Sequence, residues 1–101
     1  MNQDILNCQM LINSGMAWKL EGHVGRTCMA AIRDGQCLLG TVQHADYYGN
    51  IVPSRTDVQD GTKGSPRFVV ENTSMEHYDE LLLVPAEPDQ SMMLDALIGG
   101  E

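Results

Sequence analysis

Basic residues are scarce in this chain of 101 residues: six Lys and Arg stand against fourteen Asp and Glu, giving a net charge of −8. Their distribution says more than their number. Residues 1–68 carry six of each sign, but no base follows Arg67, and the rest of the chain adds Glu71, Glu76, Asp79, Glu80, Glu87, Asp89, Asp95 and Glu101. Such a chain lacks the cation density that phosphate contacts and counterion release require, which argues against nucleic acid or an anionic membrane as the main partner. A protein with a basic surface is the expected partner.

Other shortages narrow the class. Uninterrupted apolar runs are short, Leu81 to Val84 being typical of the longest, so no membrane span is expected. Asp4 stands where a secretory leader would carry bases. Cys8, Cys28 and Cys37 are odd in number and each lies inside an apolar pattern, the usage of reduced core thiols in a cytoplasmic protein. The closely spaced cysteine pair of most zinc modules is missing, so Cys28, Cys37, His44 and His23 are read as ordinary side chains, and no metal or cofactor is expected. Aromatics are limited to Trp18, Tyr47, Tyr48, Phe68 and Tyr78, which leaves the core to aliphatic and methionine side chains.

What remains is an ordinary globular composition, 43% apolar and 20% charged. The length suits one domain over residues 1–101, able to bury roughly two-thirds of its unfolded surface. From Asn2 to Asn13 the apolar positions Ile5, Cys8 and Ile12 recur at helical spacing, with Asn2 as a cap and Gly15 as a stop. A second helical pattern runs through Ala17, Leu20, Val24, Cys28, Ala31 and Ile32 to Gly35, with a break or a close backbone contact expected at Gly22. The two should form a helical hairpin.

Between Gly40 and Pro66, six glycines and prolines interrupt any long element, and a loop region of this length is expected to make specific contacts. The β-branched pair Val69 and Val70 favours a strand over 67–71, which is paired here with a second over 79–84 through Asn72-Thr73-Ser74. After Pro85 and Pro88, Asp89 can cap a last short helix whose stripe is Met93, Leu94, Leu97 and Ile98, ended by Gly99-Gly100. Residues 86–101 read either as packed on the domain or as a semi-detached arm that docks in a partner's groove. The fold class is therefore α+β: an N-terminal helical hairpin, a Gly/Pro-rich central loop region, a small antiparallel sheet and a short C-terminal helix.

Chemistry-bearing residues are sparse. Trp18, Tyr47 and Tyr48 are the side chains best able to anchor an interface, although a lone helical tryptophan is more often a packing residue and Tyr47-Tyr48-Gly49-Asn50 also reads as a turn. Arg26 and Arg55 could recognise a carboxylate or phosphate bidentately. Gly61-Thr62-Lys63-Gly64-Ser65 has phosphate-loop composition without its order, so a turn bearing one cation, Lys63, is the default. His44, Asp46 and Ser54 supply triad residue types without a nucleophile elbow, and Asp79-Glu80 fall on opposite faces of a strand, so no catalytic residues are assigned.

The segments Ala17-Trp18-Lys19-Leu20-Glu21-Gly22-His23-Val24-Gly25-Arg26, Asp46-Tyr47-Tyr48-Gly49-Asn50-Ile51-Val52-Pro53-Ser54-Arg55-Thr56 and Gly61-Thr62-Lys63-Gly64-Ser65 resemble small uncharacterised proteins of bacteriophages, prophages and other mobile elements, over roughly residues 10–70. That resemblance implies a bacterial cytosol and an accessory role against a host or defence protein, and it brings no catalytic residues. The expected function is a non-enzymatic acidic protein-binding module that occupies a basic site. Its contact residues are Trp18, Arg26, Tyr47, Tyr48, Arg55, Lys63, Glu71, Glu76, Asp79 and Glu80. A small-molecule or nucleotide-binding domain and a structural subunit of a homo-oligomer, for instance a homodimer, are the alternatives.

Overall fold

Asn2 starts the first helix, its side chain accepting a hydrogen bond from the Asp4 N–H at 2.6 Å. The computed structural model describes residues 2–19, 22–46 and 48–85. Helix α1 spans Gln3–Ser14 and ends at Gly15, and a short 3₁₀ turn, Met16–Trp18, follows. Gly22 breaks the second helical pattern, as its backbone cost suggested, and α2 runs His23–Arg33. Its end is a Schellman motif: Gly35 N–H donates to Ile32 O at 3.1 Å and Gln36 N–H to Ala31 O at 2.8 Å. Gly35 has φ +79°, and a Cβ there would lie 2.5 Å from Asn72 Cβ, so both conformation and space call for glycine.

The N-terminal helical hairpin forms as the sequence implies. Cys8, Leu11 and Ile12 of α1 share one core with Cys28, Ala31 and Ile32 of α2, and Ala17, Trp18, Cys37 and Leu39 complete it. Leu38 faces the other way, into a smaller cluster with Val69 and Leu81. Residues 37–39 thus form a partition between two cores, with alternate side chains on opposite sides. This stretch belongs to no sheet, so its backbone groups need other partners. The Gln9 side-chain amide takes both Leu38 groups, Gly64 O accepts from Leu39 N–H, and Arg55 Nε donates to Leu39 O at 2.8 Å.

The small antiparallel sheet exists, but not where the β-branched pair placed it. It consists of β1, His44–Ala45, and β2, Ile51–Val52, in register His44 with Val52 and Ala45 with Ile51, on either side of the Tyr48-Gly49-Asn50 turn. Residues 67–71 and 79–84, expected as strands, form none: 67–71 lie in helix α3, Pro66–Asn72, and 79–82 end helix α4, Met75–Leu82, with Leu83 and Val84 in the turn after it. The cause is local. Ser65 caps α3 by accepting from Phe68 N–H, with Pro66 in its first turn, and Ser74 caps α4 by accepting from His77 N–H. Each short helix then buries one residue completely, Val69 and Leu81.

No helix among the described residues is long and apolar enough to cross a membrane. The expected helix over 89–98 and the semi-detached arm over 86–101 lie outside the described residues.

Candidate binding cleft

The face of α2 turned away from the core carries Arg26, Met29 and Arg33, spaced three and four residues apart, so that all project on one side. Opposite this face stands the hairpin, with Tyr48, Ile51, Val52 and Pro53, and between the two walls lies an open cleft of about 1200 Å³. Trp18 and Leu39 form part of its lining, and Val58 and Lys63 reach it from the central loop.

The lining combines apolar surface with positive charge. Met29, Tyr48 and Ile51 are 53%, 81% and 63% exposed, a cost in apolar hydration concentrated at one place. Arg26, Arg33 and Lys63 border the same space, against one lining carboxylate among the described residues, Asp46. That carboxylate is engaged in its own turn, accepting from Asn50 N–H at 2.8 Å, Tyr48 N–H at 2.9 Å and the Asn50 side-chain amide at 3.3 Å. These bonds, the Asn50 backbone N–H foremost, hold the Asp46 pKa below the ordinary aspartate range. Arg33 lies 3.9 Å from Asp34, but both side chains are largely exposed, and such a contact contributes little. The cleft is therefore a cationic, apolar surface on an acidic protein.

The structure separates the residues singled out from the sequence. Trp18, Arg26, Tyr48 and Lys63 meet at the cleft, Trp18 as a buried wall residue. Arg55 does not join them: its guanidinium turns inward, Nε to Leu39 O and Nη2 to Asn13 Oδ1 at 3.0 Å, and burial lowers its pKa. Tyr47 lies outside the described residues. Glu71 sits on α3 beside Arg67, 3.6 Å from its Nε, while Glu76, Asp79 and Glu80 are exposed on α4. In a helix these three share one side rather than opposite faces. Met29, Arg33 and Ile51 escaped the sequence reading, although the spacing 26, 29, 33 was a usable signal for the first two.

No catalytic arrangement joins the triad residue types. The His44 ring contacts Asn13 O, Asp46 holds its own turn, and Ser54 pairs with Thr56. Among the described residues, no group of three His, Cys, Asp or Glu could hold a metal ion. The Gly61–Ser65 loop spends its groups internally: Gly61 N–H donates to Ser65 Oγ, Thr62 Oγ1 to Gln59 O, and Gly64 O accepts from Leu39. The chain matches no protein-family model, no curated protein and no solved structure.

Proposed function

We propose that the protein is a non-enzymatic binding module whose cleft between α2 and the β1–β2 hairpin receives an acidic, partly apolar segment of a partner protein. The observation that supports this reading is the convergence of Arg26, Arg33 and Lys63 around exposed Met29, Tyr48 and Ile51. Exposed aromatic and methionine side chains supply contact area at low entropic cost, and the cations favour carboxylates. The cleft is larger than the roughly 300–1,000 Å³ usual for small-molecule sites, which favours a peptide over a nucleotide. The charge of −8 disfavours nucleic acid at any distance beyond direct contact.

A second reading has its own support. Glu76, Asp79 and Glu80 lie along one exposed side of α4, a surface suited to the basic site of a host or defence protein in the phage-type setting that the sequence resembles. One experiment separates the two. Partners captured from bacterial lysate, or a bound acidic peptide, should be lost or weakened at least about tenfold, or 1.4 kcal/mol, by Arg26→Glu with Lys63→Glu. Neutralising Glu76, Asp79 and Glu80 should leave that binding intact. Raising salt from about 0.01 M to about 0.15 M shortens the Debye length from about 30 to about 8 Å and should weaken it further. Binding unchanged by the cleft substitutions but lost on neutralising α4 would move the site to the acidic face.

A further inference from the structure

A surface of the kind the cleft calls for, acidic and partly apolar, is displayed by the chain itself. Helix α4 is eight residues long, about two turns and 12 Å. It buries Leu81 and half-buries His77 and Tyr78, so its outward arc carries Met75, Glu76, Asp79 and Leu82. Met75 and Leu82, both exposed, stand seven residues apart on one side of the helix with Asp79 between them, the spacing by which an amphipathic helix anchors in a groove. Helix α4 does not face the cleft of its own chain. Leu81 packs with Leu38, whereas Leu39 lines the cleft, so the two surfaces lie on opposite sides of the 37–39 partition.

We infer that the partner received by the cleft is a second copy of this chain, whose α4 lies between α2 and the β1–β2 hairpin. The inference rests on the reading of the cleft as a protein-binding site and names its occupant. Charge complementarity selects it: Glu76 and Asp79 of one copy meet Arg26, Arg33 and Lys63 of the next, while Met75 and Leu82 cover the exposed Met29 and Ile51. The net charge of −8 repels two copies at a distance, but at about 0.15 M salt charges more than about 8 Å apart are largely screened, and the local pairing decides. Because cleft and helix occupy opposite sides, the contact is heterologous: each copy offers its cleft to one neighbour and its α4 to another, so association continues past a dimer. A two-turn helix makes a small interface, of the weak class below about 1,200 Å² in total, which places association at about 0.1–1 mM.

The test is sedimentation equilibrium of the full chain up to about 1 mM in about 0.15 M salt. The average mass should climb with concentration past that of two chains. Arg26→Glu with Lys63→Glu in the cleft, or Met75→Asp with Leu82→Asp on α4, should each weaken self-association at least about tenfold. An equal mixture of the two variants should regain a dimer and stop there, since one keeps its α4 and the other its cleft; that dimer also shows both variants to be folded. An unsubstituted chain that is monomeric at about 1 mM, association unmoved by either pair, or a mixture that forms no dimer or grows beyond one would overturn the inference. A chain that stays monomeric while its binding of an acidic peptide is still lost on Arg26→Glu with Lys63→Glu overturns the inference and leaves the proposed function standing. A chain that neither self-associates nor binds the peptide overturns both.

Discussion

Gln9 and Leu38 exchange two hydrogen bonds across the molecule: Gln9 Oε1 accepts from Leu38 N–H at 2.7 Å, and Gln9 Nε2 donates to Leu38 O at 3.1 Å. Both residues are fully buried, and the side-chain amide takes the place of a neighbouring strand. Gln9 Nε2 also donates to Asn13 Oδ1, one turn along α1, and Asn13 in turn receives Arg55 and holds the carbonyls of Val84 and Pro85. Two amides on one helix thus satisfy segments near residues 38, 55 and 85. Among the described residues, no buried side-chain polar atom lacks a partner.

Replacing Gln9 with leucine keeps the volume roughly constant but strands the Leu38 N–H and C=O. Each buried orphan costs about 1–3 kcal/mol, so Gln9→Leu should destabilise the fold by about 3 kcal/mol, a large share of the 5–15 typical of a domain. Urea unfolding should show a lower midpoint with an unchanged slope. A loss below about 1 kcal/mol would mean that Leu38 finds other partners.

Asp46 gives the hairpin a definite acid response. Its folded pKa is depressed, chiefly by the Asn50 backbone N–H, so its contribution to the turn is present above the ordinary aspartate pKa and is lost as pH falls through the depressed folded value. The Asn50 and Tyr48 amide resonances should therefore titrate with a midpoint below the ordinary aspartate range. Asp46→Ala should abolish that titration and remove protection of both amides from exchange at neutral pH.

The three cysteines should behave unequally toward thiol reagents. All are buried and free. The Cys28 thiol donates to the Cys8 sulfur, which lowers the Cys8 pKa and raises that of Cys28, and burial pushes Cys37 up. Ellman's reagent at neutral pH should label the native protein at least about a hundredfold more slowly than the urea-unfolded chain, since access requires opening of the core. Peptide mapping of the slow native reaction should find Cys8, the least buried of the three, modified first.

The parts legible in the sequence are those set by local spacing and caps. Asn2, Gly15, Gly22 and Gly35 marked the limits of the first two helices because each acts through its own backbone or its nearest amides. Val69 and Val70 misled for the complementary reason: their β preference is weak, and the Ser65 and Ser74 caps with Pro66 outweighed it. Arg55 looked like a contact residue since nothing adjacent in sequence shows that Leu39 O and Asn13 wait for it. Gln9 was still less visible, a polar residue on a half-apolar helix whose partner is 29 positions away. At the cleft, Trp18, Arg26, Tyr48 and Lys63 could be picked by residue type, but their convergence depends on a hairpin position fixed only by tertiary packing.

Asn13 and Pro85 are 72 residues apart, yet one hydrogen bond joins them. On a ribosome, α1 leaves the exit tunnel long before Val84 and Pro85 are synthesised. The side of α1 bearing Asn13 must stay unfinished through most of translation, and its closure carries the entropic cost of a 72-residue loop. Early in synthesis the nascent protein can assemble its α1–α2 half, but it cannot seal the joint at Asn13 until Val84 and Pro85 emerge.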